Sequence, residues 1–376
     1  MAIPFRVGRL AWIAPELFPE PGGIGNQAAF LVRELQAIGY EVSVVADTSM
    51  VSEAEAFQYD QQQPYRVQRI FRRRPVLFVY LKRCYRLWQS AKKHEVIVCS
   101  GKWPIWLGGF MTALFPKKEW IAVVHGSELD LKGGLQRWYM SRSIQRFAKI
   151  IAVSKYTADH LPKFTRRNQP KVRVIGNGVS TEEFSSVTMN GYSAGELGFP
   201  ALITVGSVKE RKGQRKVIEA LPEIRKKYPE ATYHVVGLPH ESAALRKLAD
   251  RLGLNGAVKF YGAQSREKVQ HLLKASDIFL LPSQHTQAGD FEGYGIAILE
   301  ANALGVPAIA SSKSGSSDAV TQQSGILLDD ASPEALTDAV SNILDRADAY
   351  AQGALAFSDT RNWKRVAQAY HEFIQA

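Results

Sequence analysis

The sequence predicts an α/β protein made of two doubly wound, Rossmann-like domains. At 376 residues the chain is long for a single hydrophobic core, so two domains are expected. Short runs of β-branched and other apolar residues alternate with helical segments, a pattern typical of parallel sheets joined by right-handed crossovers. These runs form two sets of six, and each set is enough for one doubly wound sheet.

The predicted strands follow one another at regular intervals along both halves of the chain. The first set covers residues 7–14, 42–46, 96–99, 121–124, 150–153 and 172–175. The second set covers residues 202–205, 233–236, 258–261, 278–281, 308–310 and 326–328. The boundaries that follow are a first domain over 1–180, a linker rich in Ser, Thr, Gly and Glu over 181–199, a second domain over 200–359, and an amphipathic helix over 360–376 that packs back on the first domain.

The composition is that of a globular protein, with 45% apolar and 22% charged residues. No run approaches 18 apolar residues, and the first residues lack the layout of a signal peptide. The two cysteines, Cys84 and Cys99, have no metal-like spacing. These features predict a cytosolic protein with no membrane-spanning helix and no structural zinc site.

Positive charge is concentrated in the first half of the chain. Residues 1–180 hold 27 Lys and Arg against 13 Asp and Glu, whereas the remainder holds 20 against 23. Residues 66–93 contain ten basic residues and no acidic one, interleaved with aromatic and aliphatic side chains. This pattern suits an anionic membrane or acceptor, with nucleic acid or a solvated helix face as alternatives. The residues assigned to this surface are Arg69, Arg72, Arg73, Arg74, Lys82, Arg83 and Arg86.

Candidate ligand sites in the first half lie where strands end, because open parallel sheets bind ligands beyond the carboxyl ends of their strands. Gly22, Gly23 and Gly25 follow the first strand and precede a helix. They can present N–H groups to a phosphate, although a plain tight turn is as good a reading. His125 and Glu128 follow the strand over 121–124, where a capped turn is the alternative.

The second half carries two cations and two carboxylates at comparable turns. Arg211 and Lys212 follow the strand over 202–205 and suit a diphosphate, unless they are a solvated charge run. Glu292 and Glu300 flank a glycine loop and a helix start. Eight helical steps span about 12 Å, more than the roughly 5–9 Å of a glycosidase pair. The two carboxylates can hold the ends of one elongated ligand, such as a nucleotide sugar, or be incidental to a surface loop and a core helix.

The order and spacing of these motifs resemble those of the retaining nucleotide-sugar glycosyltransferases of family four, which have the GT-B architecture of two Rossmann-like domains facing a cleft. The resemblance runs over nearly the whole chain. Its pieces are residues 22–25, 125–128, 153–156, 177–179, 211–213, 277–283 and 292–307. The segment over 289–295 is similar to the branch that mannosylates phosphatidylinositol and related lipids.

The resemblance implies a role for each matching residue. Glu300 would bind the nucleotide ribose, and Glu292 with the backbone of 293–296 would bind the donor sugar. Arg211 and Lys212 would neutralise the diphosphate. His125 would lie beside the 6-hydroxyl of the transferred sugar and stabilise an oxocarbenium-like transition state. The other positions assigned to substrate binding are Gly22, Gly23, Gly25, Glu128, Asn177, Gly206, Ser207, Gly293, Tyr294, Gly295, Ile296, Gly315 and Asp318.

Two departures from the family pattern affect these expectations. The family usually has Arg five residues before the Lys of its Lys-Gly pair, and here that position is Ser207. Arg211 is the candidate replacement for the missing phosphate contact. The family's Gly-Gly followed by Glu reads Ser-Gly-Ser-Ser-Asp over 314–318, so the sugar preference does not carry across.

The reading that combines these features is a cytosolic enzyme, peripheral to the inner face of the cell membrane. It would transfer a hexose or N-acetylhexosamine, with retention, from a UDP- or GDP-linked donor to a lipid-linked or glycan acceptor. No cofactor, divalent metal or nucleic acid is expected. The alternatives are a nucleotide-sugar epimerase of the same fold, a basic nucleic-acid-binding protein, and a catalytically inactive sugar-binding scaffold.

Overall fold

The computed structural model describes residues 7–73, 75–129, 131, 133–165, 170–185, 196–287 and 289–376, and it divides into two compact units. The first unit comprises Met1–Asn177 and Trp363–Ala376, and the second comprises Gly178–Asn362. The division falls at Asn177, so the described parts of the predicted linker over 181–199 group with the second unit.

The first unit is built on a seven-stranded parallel sheet of order β3-β2-β1-β4-β5-β6-β7. Its strands are β1 (Gly8–Ala14), β2 (Tyr40–Thr48), β3 (Arg66–Phe71), β4 (Val96–Ser100), β5 (Glu119–Val124), β6 (Lys149–Ala152) and β7 (Lys171–Val174). Its helices are α1 (Gly23–Ile38), α2 (Glu53–Gln61), α3 (Val76–Lys93), α4 (Lys102–Leu114), α5 (Gly134–Ile144), α6 (Lys155–His160), α7 (Pro162–Thr165) and, from the end of the chain, α15 (Trp363–Gln375).

The second unit has a six-stranded parallel sheet of order β10-β9-β8-β11-β12-β13. Its strands are β8 (Ala201–Val205), β9 (Thr232–Val236), β10 (Val258–Gly262), β11 (Ile278–Leu281), β12 (Ala308–Ser311) and β13 (Gly325–Leu328). Its helices are α8 (Thr181–Ser185), α9 (Gln214–Lys227), α10 (Ser242–Arg251), α11 (Arg266–Lys274), α12 (Ile296–Asn302), α13 (Pro333–Leu344) and α14 (Ala347–Thr360). Both sheets are doubly wound, as the alternating apolar runs predicted.

One strand of the first sheet was not predicted. Strand β3 pairs with β2 at the edge of the sheet, and Ile70 is its one fully buried residue. Its sequence, Arg-Val-Gln-Arg-Ile-Phe, lacks the continuous apolar run of a strand buried on both faces. The charge pattern masked it, because the whole strand lies within the basic segment over 66–93 and two of its residues are Arg.

Helix α15 closes the first unit, although it follows the whole second unit in sequence. The ring of Trp363 stacks on Phe30 of α1, with ring centroids 6.0 Å apart. Lys149 Nζ donates to the carbonyl oxygen of Ile374 at 2.7 Å. The amphipathic pattern at the end of the chain therefore buries its apolar side against α1.

Candidate functional site

The two adjacent cations of the second unit lie in a tight turn between β8 and α9. Glu210, Arg211 and Lys212 form a single 3-10 turn that ends at Gly213, which has a φ of 75°. A Cβ at Gly213 would lie 2.1 Å from the carbonyl oxygen of Pro282. Glycine is therefore required for this turn to approach the segment after β11.

A buried carboxylate from the loop after β11, the strand next to β8, meets both cations. Lys212 Nζ lies 2.8 Å from Glu292 Oε2, and Arg211 Nη1 is paired with the same oxygen. The Nε of Arg211 also lies 3.2 Å from Asp290 Oδ2. The structure thus brings together Arg211, Lys212 and Glu292, which the sequence placed 80 residues apart, and it adds Asp290.

The ion pairs set the protonation state of this cluster. Burial by itself raises the pKa of Glu292, but the charges of Lys212 and Arg211 and their hydrogen bonds outweigh burial and hold the pKa at about 2. Burial lowers the pKa of Lys212, and the charge of Glu292 opposes that shift. Glu292 is consequently a carboxylate at neutral pH, and it is paired with both basic side chains.

Glycines let the backbone come close to this cluster. A Cβ at Gly206 would lie 3.4 Å from Lys212 Nζ, so the ammonium group lies directly over the turn after β8. Gly315 packs against the loop that carries Glu292, where a Cβ would lie 2.0 Å from the carbonyl oxygen of Gly293. Gly315 N–H also donates to the carbonyl oxygen of Glu292 at 2.8 Å. The segment that departs from the family pattern therefore supports the Glu292 loop through its backbone.

Glu300 has a partner that the sequence did not indicate. Arg266 Nη1, at the start of α11, lies 3.4 Å from Glu300 Oε1. Arg266 also forms ion pairs with Glu183 of α8, and Glu183 accepts a further bond from Gln270. Burial raises the pKa of Glu300, and the charge of Arg266 opposes that shift. The pairing joins residues that are 34 positions apart, and no local pattern signals it.

Tyr294 and Gly295 are the last loop residues before helix α12. Gly295 has a φ of 85° and is the residue before the helix, which runs from Ile296 to Asn302. The hydroxyl group of Tyr294 is buried and has no hydrogen-bond partner among the described residues. Burial raises the pKa of Tyr294 to about 12, so the hydroxyl stays protonated.

Ser207 and Asp318 are both half-buried, and the Ser207 carbonyl oxygen accepts from Gln214.

His125 of the first unit lies at the end of β5. Its Nε2 is hydrogen-bonded to Ser100 Oγ, at the end of the neighbouring strand β4, at 2.8 Å. Burial lowers the pKa of His125 to about 3, so the imidazole is neutral at physiological pH. A neutral ring can exchange hydrogen bonds with a sugar hydroxyl, but it does not supply positive charge.

Glu128 holds the backbone of the His125 turn. It is 0% exposed, and its Oε2 accepts from the N–H of His125 at 2.9 Å. Its Oε1 has no hydrogen-bond partner within the described part of the chain, and it faces Gly101 before α4. Burial raises the pKa of Glu128 to about 7, although backbone hydrogen bonds and the charge of Lys102 oppose the shift.

This pKa predicts a distinct dependence of stability on pH. Between about pH 4.5 and 7 the folded protein retains the Glu128 proton that the unfolded chain has lost, so the free energy of unfolding falls as the pH rises. In Glu128→Gln this contribution disappears, and stability should fall less than in wild type over that range. Urea unfolding of both proteins at a series of pH values measures the difference. Parallel curves would contradict a protonated Glu128 in the folded state.

The glycine loop before α1 already holds a carboxylate. Gly25 N–H donates to Glu16 Oε1 at 3.0 Å, and a Cβ at Gly22 would lie 2.1 Å from the same oxygen. Burial raises the pKa of Glu16, and backbone hydrogen bonds from the loop oppose the shift. Glu16 was not among the predicted site residues, although the sequence has an acidic residue between the first strand and the glycine loop. Gly23 is the first residue of α1.

Asn177 is engaged within the first unit. It is 3% exposed, and its Oδ1 accepts from Gln27 Nε2 of α1 at 2.6 Å. Tyr370 of α15 lies 3.5 Å from the same nitrogen. The Asn177 side chain therefore joins the last segment of the unit to α1.

The structure corrects two members of the predicted basic surface. The side chain of Arg69 is only 5% exposed, because it pairs with Asp60 and donates to the carbonyl oxygens of Leu17 and Phe18. Arg83 is buried as well, and it pairs with Asp47. Both guanidinium groups form ion pairs inside the unit and are not part of its surface, since a buried charge needs hydrogen-bonding partners.

The other members of that surface differ in their surroundings. Arg72, Arg73 and Lys82 are exposed, and Arg73 pairs with Glu53 of α2. Arg86 is half-buried, with Nη1 3.1 Å from Gln89 Oε1. Arg74 lies outside the described residues. Across the described chain, no helix is both long enough and apolar enough to cross a bilayer.

Comparison with protein families gives two matches that together span most of the chain. The model described as Glycosyltransferase Family 4 matches residues 21–183. The model described as Glycosyl transferases group 1 matches residues 195–353. The first match covers the glycine loop and the His125 turn, and the second covers Arg211, Glu292 and Glu300.

Two named mannosyltransferases are similar in sequence to this chain. A GDP-mannose-dependent monoacylated alpha-(1-6)-phosphatidylinositol monomannoside mannosyltransferase of Corynebacterium glutamicum is 27% identical over 68% of this chain and 70% of its own. A GDP-mannose-dependent alpha-(1-6)-phosphatidylinositol monomannoside mannosyltransferase of Mycobacterium tuberculosis is 36% identical over 43% of each chain. The matched region therefore spans less than half of the second relative.

Solved structures share the fold over nearly the whole chain. HepE of Anabaena, in complex with UDP and glucose, has a TM-score of 0.78 at 17% identity and covers 98% of this chain and 99% of its own. A sucrose-phosphate synthase of Thermosynechococcus elongatus has a TM-score of 0.76 at 19% identity and covers 98% of both chains. At these identities the likeness establishes the fold of two Rossmann-like domains.

Proposed function

We propose that this chain, which belongs to family 4 of the glycosyltransferases, transfers a hexose or an N-acetylhexosamine from a nucleoside diphosphate sugar with retention of configuration. The observation that carries the proposal is the buried cluster of Arg211, Lys212 and Glu292 at the strand ends of the second unit. Two adjacent cations suit a diphosphate, and a carboxylate held between them suits a sugar hydroxyl.

In the proposed mechanism, the positive charges of the cluster stabilise the diphosphate as it leaves. As the bond from the anomeric carbon to the phosphate oxygen breaks, negative charge grows on the leaving group. Lys212 and Arg211 are held in place by Glu292, so they can meet that charge without reorganisation. We propose that these cations do this work without a divalent metal.

Retention follows in this proposal from attack on the face that the diphosphate leaves. The acceptor oxygen forms the new bond to the anomeric carbon, and a phosphate oxygen of the leaving group takes the acceptor proton. His125, neutral and hydrogen-bonded to Ser100, would contact the sugar hydroxyl rather than act as a base. Its low pKa supports that role, because a base that works near neutral pH needs a pKa near 7.

For the other substrates we propose a UDP- or GDP-linked donor and a lipid-linked or glycan acceptor, used at the inner face of the cell membrane. The names of the mannosyltransferase relatives support a GDP-linked donor and a lipid acceptor. The solved complexes of HepE support a UDP-linked one. The excess of positive charge in residues 1–180 supports an anionic acceptor or surface.

Thermal stabilisation by nucleotides tests the donor site directly. A ligand at a hundred times its dissociation constant adds about 2.7 kcal/mol to stability, so UDP or GDP should raise the melting temperature clearly. ADP and the free sugars serve as comparisons. Glu300→Ala should show a smaller shift, because the proposed ribose contact is lost, while Glu219→Ala, an exposed residue of α9, should match wild type.

Three outcomes would contradict the proposal or a part of it. If no nucleoside diphosphate or nucleotide sugar stabilises the wild-type protein, the donor site is not functional and a sugar-binding scaffold is favoured. If Glu300→Ala responds like wild type, the ribose assignment is wrong while the donor site stands. Turnover of a stabilising donor without any acceptor, with inversion at a sugar carbon, would favour an epimerase.

A further inference from the structure

Three consecutive helices of the first unit, α3, α4 and α5, contain no Asp or Glu at all. They lie side by side on one face of the sheet, since their inward side chains share a single core with the strands. The contact between α4 and α5 is especially close, because a Cβ at Gly109 would lie 2.5 Å from the Cα of Ser143. Their outward faces therefore adjoin one another.

These outward faces carry large apolar side chains exposed to solvent. On α3 they are Leu77, Phe78, Leu81 and Tyr85, on α4 they are Phe110 and Leu114, and on α5 they are Leu135, Trp138 and Tyr139. Leu135 is 78% exposed and Trp138 is 60% exposed. The spacings of three and four residues give one apolar stripe on each helix. An exposed apolar patch of this extent marks a protein or membrane interaction site.

The charges that accompany the patch have one sign. The basic residues on the helices themselves are Lys82, Arg83, Arg86, Lys92, Lys93, Lys102, Arg137 and Arg142. Of these, Arg83 is the buried partner of Asp47, and it contributes nothing to the surface. Lys102 Nζ lies 5.2 Å from the ring centroid of Trp106, and Lys92 Nζ lies 3.6 Å from that of Trp88. Both rings are half-buried against the core, and cations beside such rings suit the boundary between acyl chains and anionic headgroups.

We propose that the outward faces of α3, α4 and α5 insert into the headgroup region of an anionic lipid bilayer. Phe110, Leu114, Leu135 and Trp138 enter the acyl boundary, while Lys82 and Arg137 pair with the headgroups. This inference rests on the proposed function, because it identifies the surface through which the enzyme would lie on the membrane. It extends beyond the basic segment over 66–93, since α4 and α5 lie outside that segment.

The charge also decides between a bilayer and a second copy of the chain. A two-fold interface places the same patch against itself, so cations would face cations with no acidic residue on these helices to offset them. An anionic bilayer supplies the opposite charge to each Lys or Arg near its surface. The bilayer is therefore the occupant that fits both the apolar stripes and the charge.

Vesicle flotation of the full chain tests the proposal. Wild type should float with phosphatidylglycerol–phosphatidylcholine vesicles and much less with pure phosphatidylcholine. Leu135→Gln with Trp138→Gln should lower the partition coefficient by about tenfold or more, because two large side chains lose their burial. Phe110→Gln with Leu114→Gln should do the same and serves as an independent pair.

Matched controls come from exposed apolar residues elsewhere. Phe57→Gln, on α2 among acidic neighbours, and Leu355→Gln, on α14 of the second unit, should float like wild type. Melting temperature and nucleotide stabilisation confirm that each variant is folded. Nucleotide stabilisation measures the donor site alone. If nucleotides do not stabilise wild type, the proposed function is overturned. If nucleotides stabilise wild type but it does not float with the vesicles, only the membrane surface is overturned.

Two results would overturn the inference. In the first, both apolar pairs float like wild type while neutralisation of Arg72, Arg73, Lys82 and Arg86 abolishes flotation, which means that attraction by charge alone holds the protein. In the second, wild type fails to float and light scattering shows a dimer that Leu135→Gln with Trp138→Gln dissociates. That result would assign the patch to a second copy of the chain.

Discussion

Replacing Lys212 by Ala should slow sugar transfer by about a hundredfold or more, with a smaller change in donor affinity. The Lys212 ammonium is buried and lies 2.8 Å from Glu292 Oε2, so its position is set before the donor binds. A preorganised charge that acts on a leaving group is worth a factor of about a hundred to a thousand in turnover. Single-turnover release of the nucleoside diphosphate, from whichever donor stabilises wild type, measures the effect.

The control for Lys212 is the neighbouring cation Arg215. It is exposed on α9, and among the described residues its ion pair is with Glu219, so Arg215→Ala should transfer at close to the wild-type rate. Nucleotide stabilisation of Lys212→Ala separates a folded, slow enzyme from a disrupted site. If the folded variant keeps a rate within a few-fold of wild type, Lys212 does not stabilise the leaving diphosphate.

Replacing Asp47 by Ala should lower the free energy of unfolding by about 3–5 kcal/mol, because it leaves the buried Arg83 guanidinium without its partner. Burial raises the pKa of Asp47 although Arg83 opposes the shift, which indicates that desolvation offsets much of the attraction in the intact pair. The large cost therefore comes from the unpaired charge and not from the lost ion pair itself. Urea unfolding at neutral pH provides the measurement.

A double variant and an exposed ion pair complete this experiment. Asp47→Ala with Arg83→Met removes both charges and should recover much of the loss. Glu372→Ala breaks the exposed pair with Arg173 in the same unit and should cost about 1 kcal/mol or less. Equal losses in Asp47→Ala and Glu372→Ala would mean that Arg83 reaches water when Asp47 is absent.

The two parallel sheets and the turns at which the site lies could be predicted from the pattern of apolar residues and glycines. Strands buried on both faces must be continuously apolar, and all twelve predicted runs coincide with strands. Glycines such as Gly213 and Gly295 mark turns that require positive φ, so they could be read directly. Strand β3 escaped prediction because an edge strand that carries Arg66 and Arg69 does not need that apolar run.

Which charges of this protein are buried in ion pairs and which are exposed depends on how the chain folds in three dimensions. Within one basic segment, Arg83 is buried against Asp47 while Lys82 is exposed, and nothing in the local sequence separates these neighbours. In the same way, Glu292 joins Lys212 across 80 residues, and Glu300 joins Arg266. Electrostatic interaction depends on distance in space and on burial, and both are set when the strands pair and the helices pack.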